Sequence, residues 1–365
     1  MSSTQQHRQD AHDAHDAHGP YDGQDADAPG RHGSYDVVVV GGGAAGLSAA
    51  LILGRSRRSV LVVDAGEPRN APAAHMQGYP SRDGMPPAEF LAVVRAEVAG
   101  YGGVLVRDRV THAAPDGSGE FDVTLAGGGR VHARRLVVAT GLVDELPDVP
   151  GLAERWGRDV IHCPYCHGYE VRDQPVGVLY SPAAGIHQAL LFSQLSDDVT
   201  LFLDGADEDA LPDADWQLLA AAGVSVVSGP VAGLVVTDDR LTGVRLAGGR
   251  VFARSVLVVA PRMVPRDTLL TALGARTQET PAGPFTAVDA TGLTSVPGVW
   301  AAGNATGPAE QVVHAAAAGY RAGTVINMDL LHADLERAAE RRRAGVFSPE
   351  GERAVARARK AAVPS

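Results

Sequence analysis

Residues 35–51 read YDVVVVGGGAAGLSAAL, and the fold turns on them. The unbroken apolar run Val37-Val38-Val39-Val40 suits a strand buried on both faces of a parallel sheet. It runs into Gly41, Gly43 and Gly46, spaced G-x-G-x-x-G, and then into a helical pattern through Ala44 and Ala45. Downstream, SVLVVDAG (59–66) reads as the next strand, with Asp64 at its end. Each part has a physical reason. Gly41 permits the tight turn, Gly43 lets a pyrophosphate approach the backbone, and Gly46 lets helix pack on strand. The helix N-terminus faces the phosphates, while Asp64 accepts the ribose hydroxyls. Glycine spacing alone is a weak signal. With strand, helix and acid in place it predicts a dinucleotide site rather than a merely structural turn.

A second stretch repeats this pattern. VGVLYSPAAGIHQAL (176–190) sets Ala183-Ala184 against Ala44-Ala45, Gly185 against Gly46 and Leu190 against Leu51. DVTLFLDG (198–205) pairs with 59–66, each a strand ending in Asp, Asp204 and Asp64, and GGRVFARSVLVVAP (248–261) echoes GGRVHARRLVVATG (128–141). Two Rossmann-like α/β units of βαβ construction are the simplest explanation. The second unit is damaged selectively. Tyr180 and Pro182 stand where Gly41 and Gly43 stood, while the helix-packing Gly185 survives. Pro182 removes a backbone N–H from the turn, and the Tyr180 side chain occupies the approach. No arginine pair follows the second strand to hold a 2′-phosphate; Asp204-Gly205 stands there. Charge-assisted hydrogen bonds contribute roughly 1.5–3 kcal/mol each, so losing two or three weakens a nicotinamide cofactor by on the order of 10²–10⁴. The expectation is a unit that keeps its fold and no longer takes NADPH. An NADH site using Asp204 is the alternative.

The only two cysteines of the 365 residues lie in His162-Cys163-Pro164-Tyr165-Cys166-His167. Thiols at this spacing can close a small ring disulfide and open it again, which makes the pair a redox centre. His162 and His167 each offer a proton acceptor for turning thiol into thiolate. The string C-x-x-C-H also matches a c-type haem attachment, but that follows export and no export signal is seen. Two Cys and two His so crowded seldom close a zinc tetrahedron, so no metal is expected. CPYC also suggests glutaredoxin, which carries it near the start of a short chain rather than 120 residues after a dinucleotide fingerprint.

Composition narrows the class. The hydrophobic fraction of 45% and the length suggest about two globular domains. A formal charge of -11 argues against nucleic-acid binding. No apolar run reaches 18 residues, so no membrane span is expected. Two cysteines without an export signal suit a catalytic pair in the cytoplasm. Residues 1–33 repeat Ala-His-Asp amid Gln, Gly and Pro and read as a disordered leader, in which His12, His15 and His18 hold metal at most adventitiously. Residues 336–365 are rich in Arg, Glu and Ala and read as a surface helix with a frayed tail.

With the fingerprint at 41–46, LVVATG at 136–141, the cysteine pair and GVWAAGNATG at 298–307, the chain resembles low-molecular-weight thioredoxin reductase from about Tyr35 to Leu331. The resemblance implies two three-layer ββα domains, the second inserted into the first. A split FAD domain then takes 34–150 and 265–335, and 151–264 carries the Cys-x-x-Cys. It also implies a homodimer. Within that superfamily, CPYCHGYE (163–170) beside a ruined nicotinamide fingerprint is most similar to the dithiol oxidases of gliotoxin and holomycin biosynthesis. Those flavoproteins close disulfides in small natural products and pass the electrons to O₂. The resemblance implies that Gly41, Gly43, Gly46 and Asp64 hold the adenosine-diphosphate part of FAD, with Thr140-Gly141 at the strand-end turn touching the cofactor. Asn304, after Gly303, stands where thioredoxin reductases carry an Asp on the ribityl chain, and Gln311-Val312 present backbone to the flavin pyrimidine edge. It further implies that Cys163 is the interchange thiol and that Cys166 lies against the flavin. His167 occupies the place of an Asp general acid, which favours it as base, with His162 as alternative.

The leading expectation is an FAD-dependent oxidase of a small-molecule dithiol, giving hydrogen peroxide from O₂. Competing readings are a thioredoxin-disulfide reductase fed by ferredoxin or a nicotinamide cofactor, and a flavin-binding redox sensor without turnover.

Overall fold

A computed structural model describes residues 30–346 and 349–361. Most of the expected leader, with His12, His15 and His18, lies outside the described residues. In the first unit, β1 (His32–Val40) leads through the glycine turn to α1 (Ala44–Arg55) and β2 (Val60–Asp64). Then come α2 (Pro87–Gly100), β3 (Val104–Arg107), β4 (Val110–Pro115), β5 (Phe121–Leu125), β6 (Arg130–Val138) and β7 (Leu142–Glu145). The inserted unit runs through β8 (Val160–Ile161), α3 (Pro164–His167), β9 (Val176–Leu179), α4 (Gly185–Phe192), β10 (Val199–Phe202), α5 (Asp213–Ala221) and β11 (Ser225–Val227). It continues through β12 (Val231–Thr237), β13 (Arg240–Leu246), β14 (Val251–Ala253) and β15 (Val256–Val258). The chain returns by β16 (Arg262–Pro265), α6 (Thr268–Ala272), β17 (Thr277–Thr280), β18 (Gly283–Thr286), β19 (Val299–Ala301), α7 (Val312–Val346) and α8 (Pro349–Ala361).

The sheets bear out the internal duplication. The first orders β3-β2-β1-β6, and the last three residues of β6 pair in parallel with β19. The second orders β11-β10-β9-β15-β8, parallel throughout. The fifth strand thus arrives from the far end of the chain in one unit and from the near end in the other. Each unit adds an antiparallel meander, β4-β5-β6 in the first and β12-β13-β14 in the second. β7 and β16 pair antiparallel as a two-stranded ribbon joining the units.

Alternate residues of each central strand face different layers. Val37 and Val39 pack with the helix-side cluster of Leu47, Phe90 and Ile326, while Val38 and Val40 pack with Phe121, Val123 and Leu125 of the meander. In the second unit Val176 and Val178 meet Phe192 and Leu219, and Leu179 meets Leu241 and Val244. Period-two alternation with both faces covered explains why the strands read as continuous apolar runs.

Two boundaries differ from expectation. β1 begins at His32, and Arg31 is buried in an ion pair with Asp108, so the residues just before position 34 belong to the first unit. At the other end α7 runs unbroken past 335. No Gly or Pro interrupts 331–344, and Asp334 is anchored by Arg58 at 2.7 Å and Arg134 at 2.6 Å, so nothing ends the helix there.

Candidate active site

The glycine turn divides its residues by purpose. A Cβ on Gly41 (φ +107) would lie 2.3 Å from the Ala139 carbonyl oxygen, and one on Gly46 would lie 1.9 Å from that of Gly41. These two glycines are demanded by backbone packing. A Cβ on Gly43 would meet nothing within 4 Å. Gly43 therefore borders open space at the N-terminus of α1, which no side chain caps. Asp64 lies beneath the turn, so close that a Cβ on Gly42 would sit 2.6 Å from its carboxyl group, and it accepts from Gly66 N and Arg95. An open cradle of uncapped N–H groups beside an acid fits the diphosphate and ribose of a flavin dinucleotide.

The neighbouring turns have settled hydrogen bonds. Thr140 Oγ1 donates to the Arg266 carbonyl at 2.6 Å, and Arg266 N donates to the Gly141 carbonyl at 2.9 Å, tying the base of the ribbon. Thr140 thus spends its hydroxyl proton within the protein. Gly303 (φ +71) turns toward α1, where its Cβ would be 3.0 Å from that of Ala45. Asn304 Nδ2 donates to the carbonyls of Gly307 (3.0 Å) and Pro308 (3.2 Å). Both amide hydrogens are used, so Asn304 offers a cofactor only its Oδ1 acceptor.

Strand register gives a residue-by-residue equivalence for the second pocket. Val37 and Val60 are partners in the first sheet, as Val176 and Val199 are in the second. Gly41 N donates to Val63 O at 2.8 Å, and Tyr180 N donates to Phe202 O at 2.8 Å. Gly41 therefore corresponds to Tyr180 and Gly43 to Pro182, as expected, but Asp64 corresponds to Leu203. The expected match with Asp204 is one residue out. Leu203 is buried in the core, and Asp204 (φ +51) turns away to accept from Val231 N at 2.8 Å. Its carboxylate holds the start of β12. The second pocket therefore has neither the two glycines nor the acid of the first.

The same equivalence places the cysteines. β8 corresponds to β19, so Cys163-Pro164 occupies the position of Ala302-Gly303 at the carboxyl end of the fifth strand. Cys163 and Cys166 are joined in a disulfide, with Cys163 as the residue preceding α3. Gln311, immediately before α7, reaches across from the first unit. Its Nε2 lies 3.4 Å from Cys163 Sγ, and its Oε1 lies 3.2 Å from Cys166 Sγ. Sequence reasoning assigned Gln311 and Val312 a backbone role only and missed this side chain.

The two histidines differ. Gln188, itself buried, donates through Nε2 to the carbonyls of His162 (2.9 Å) and Val259 (3.3 Å). His162 Nδ1 lies 3.0 Å from the Val259 carbonyl oxygen, to which it donates in the Nδ1–H tautomer, and 3.1 Å from Gln188 Nε2. His167 has both ring nitrogens buried without a hydrogen-bond partner. Burial holds the pKa of each below the ordinary imidazole value, opposed at His162 by the Val259 carbonyl and at His167 by Glu170. His167 and Cys166 line a cavity of about 630 Å³ between the units, with His75 and Gln77 on one side and Glu170 and Asp239 on the other. His162 does not line it.

One further group of ligand-type side chains occurs among the described residues, Asp116, Glu120 and His132. Glu120 there also faces Arg134 and Arg337, which repel a cation.

An open dinucleotide cradle, a second unit of the same build and a disulfide docked between them define a flavin-dependent disulfide oxidoreductase. The chain belongs to the pyridine nucleotide-disulphide oxidoreductase family, whose model matches residues 35–319. It is 34% identical to "Thioredoxin reductase sirT" of Leptosphaeria maculans, over 82% of this chain and 96% of that protein. It is 32% identical to "Thioredoxin reductase tcpT" of Claviceps purpurea, over 82% and 95%. Among solved structures, that of HlmI aligns with a TM-score of 0.80 and 52% identity, covering 86% of this chain and 96% of that one. An oxidoreductase from Agrobacterium tumefaciens aligns with a TM-score of 0.76 and 38% identity over 82% and 99%. The resemblance to thioredoxin reductases and the expected fold class are thereby borne out. No described helix is long and apolar enough to cross a membrane.

Proposed function

We propose that this protein is an FAD-dependent dithiol oxidase that closes a disulfide within a small molecule carrying two neighbouring thiols. The observation that carries the reading is the asymmetry of the two pockets. The first is open at Gly43 beside Asp64, while the second is blocked at Tyr180 and Pro182 and has Leu203 where an acid would grip ribose. A nicotinamide-fed reductase needs its donor at that second site; an oxidase draws its electrons from the thiols.

A substrate thiolate attacks Cys163 Sγ, the disulfide opens, and the bonding pair leaves on Cys166. The second substrate thiolate then attacks the substrate sulfur of the mixed disulfide and expels Cys163 as thiolate. Two electrons and the two substrate sulfurs are thereby accounted for, with the electrons held on the enzyme pair. Bound FAD supplies the acceptor that reoxidises the pair, with O₂ as final oxidant and hydrogen peroxide as its product. His167 serves as the base, because its ring nitrogens are unpartnered and the residue lines the same cavity as Cys166. His162 is oriented by Val259 but lies off that cavity. The reading includes a homodimer, supported by the exposed stripe of Tyr320, Met328, Leu331 and Leu335 on α7.

Oxygen uptake tests the reading. Purified enzyme is expected to consume O₂ and release peroxide on addition of a small vicinal dithiol, while anaerobic NADPH or NADH leaves the flavin absorbance unchanged. Rapid bleaching by either nicotinamide would establish the reductase instead. A dithiol response no greater than that of Cys163→Ser would overturn the oxidase reading, and one well above it excludes a sensor without turnover.

A second prediction concerns pH. The depressed pKa keeps His167 neutral, and able to accept a proton, throughout and somewhat below the neutral range. The acid limb of kcat/KM therefore lies below about pH 6.5. His167→Ala removes the acceptor, so thiolate must form unaided and the limb moves up toward about pH 8.5. A pH–rate profile of the variant that superimposes on the wild type, beside a shifted His162→Ala profile, transfers the role to His162.

A further inference from the structure

Gln188 is a polar residue of α4 that is only 3% exposed. By the register that sets Gly185 against Gly46, it stands where Ala49 stands on α1. Ala49 packs its backbone against Gly323 of α7, the helix that follows the fifth strand of the first unit. In the inserted unit the fifth strand is β8, and it leads into the redox pair and the four-residue α3. The longer side chain of Gln188 reaches the end of that strand. In the first unit the last rung there is Ala302 N donating to Val138 O at 3.2 Å. The equivalent residues are Cys163 and Val259. Val259 N donates to Ile161 O at 2.9 Å, and the Val259 carbonyl is met by two side chains, Gln188 Nε2 at 3.3 Å and His162 Nδ1 at 3.0 Å. Gln188 Nε2 also donates to the His162 carbonyl at 2.9 Å. Backbone carbonyls only accept, so these two fix which end of the amide faces them. Oε1 is left buried without a partner. An apolar side chain of the same length would fill this space without stranding an acceptor, so what the amide adds is its donor end.

We infer that Gln188 is a positioning residue for the exchange reaction. Its N–H groups bridge the His162 and Val259 carbonyls in place of the last ladder rung, and so hold the His162–Cys163 peptide to the inserted sheet. The inference rests on the reading of Cys163 as the interchange thiol. In the oxidised protein the Cys163–Cys166 bond itself restrains Cys163. That restraint goes when a substrate thiolate bonds to Cys163 Sγ and the electron pair of the S–S bond leaves on Cys166. Until the pair recloses, what remains is a single helical turn, in which the Cys163 carbonyl accepts from Cys166 N at 3.3 Å and His167 N at 3.2 Å. Gln188 anchors that turn to the sheet from one residue upstream. Ring closure between two groups of one chain improves with how well both are already held. Without the anchor the open pair gains freedom that closure must remove, so the disulfide is more easily reduced.

The open–closed balance of the pair tests it without turnover. The full-length flavoprotein is equilibrated without oxygen against mixtures of reduced and oxidised dithiothreitol and quenched by alkylation, and the closed fraction is counted by peptide mass spectrometry. Gln188→Met, which keeps the length and removes the donor, is expected to shift the balance toward the open pair by about tenfold, or about 30 mV. The shift is expected to persist in a His162→Ala background, because the anchoring bond runs to the main chain. Gln188→Glu gives a second readout. Its carboxyl donates to one carbonyl when protonated and repels both when ionised, and burial raises its pKa. Measured against wild type at the same pH, its balance is expected to be near that of wild type on the acid side of that pKa and to fall to the methionine level as pH rises through it. The titratable groups around this position are His162 with Arg69 and Asp144 beside it, His167 and the two cysteines. They are the same in wild type, Gln188→Met and Gln188→Glu, so the ratio at each pH isolates the substituted side chain. An unmoved balance in Gln188→Met, a shift that vanishes with the His162 ring, or a ratio for Gln188→Glu that does not change with pH overturns the inference. If circular dichroism shows the methionine variant unfolded, the pH dependence of the glutamate variant decides. A balance that moves as expected in an enzyme that takes up no oxygen with dithiols overturns the oxidase reading alone.

Discussion

Cys166→Ser is expected to lower dithiol oxidation by at least ~10³-fold, because covalent exchange within one small ring cannot be replaced by two separate thiols at ordinary concentrations. The variant keeps the flavin cradle, since neither sulfur contributes to the turn at Gly41–Gly43. Its remaining thiol, Cys163, still precedes α3 and still lies beside the Gln311 carboxamide. Offered a small-molecule disulfide, it opens that bond and holds one half as a mixed disulfide, and with no Cys166 to displace it the adduct persists. Intact-mass analysis should find one adduct per chain, on Cys163. Cys163→Ser is expected to lose oxidation equally but to form the adduct slowly, because in this reading Cys166 is the flavin-side thiol of the pair and Cys163 the interchange thiol. Residual oxidation within tenfold of wild type, or faster trapping on Cys166, would contradict the order of cysteines.

Much of this site was legible in the chain because its demands are local. The glycine turn needs three residues within six positions, and the redox pair needs two within four. The duplication was legible too, since parallel strands covered on both faces must read as apolar runs. The second acid failed for an instructive reason. Asp204 matched Asp64 by letter, at the same end of a similar strand, yet the hydrogen-bond ladder puts Leu203 at that position. The unbroken spacing that sets Gly46 against Gly185 and 59–66 against 198–205 also sets Asp64 against Leu203, so matching the two acids by letter gave up one residue of register. The correction strengthens the contrast between pockets that the sequence suggested. Gln311 lies 145 positions from Cys166, and nothing local distinguishes an amide that faces sulfur from one that faces water. The boundary at 335 failed because a fall in apolar content marks emergence from the core, and a helix of good formers continues regardless.

One long-range contact did leave a signal in the sequence, the Gly319-x-x-x-Gly323 spacing within α7. Among element pairs of the first unit, α1 and α7 pack so closely that small residues are obligatory. A Cβ on Gly319 would lie 1.8 Å from the Ala45 carbonyl oxygen, and one on Gly323 would lie 2.4 Å from the Ile52 side chain and 2.9 Å from the Ala49 carbonyl oxygen. Gly319→Ala adds a single methyl, which in an ordinary helix interior is favourable by about 1 kcal/mol. Here the obstacle is backbone, which cannot rotate away, so the helices must separate. Overpacking of this kind costs about 3 kcal/mol, with more where the neighbour cannot give. Ala45 is the second residue of α1, so the separation also displaces the N–H groups that face the flavin diphosphate. The expected result is a lowered Tm together with flavin binding weakened by at least about tenfold, since about 1.4 kcal/mol lost at the cradle is one decade of affinity. Gly248→Ala is the control, because a Cβ there meets nothing within 4 Å. Thermal unfolding and flavin retention on gel filtration read both effects. A Gly319→Ala protein with wild-type Tm and full flavin would mean that α1 and α7 are not held at this distance, and the cradle would then need another support than the helix behind it.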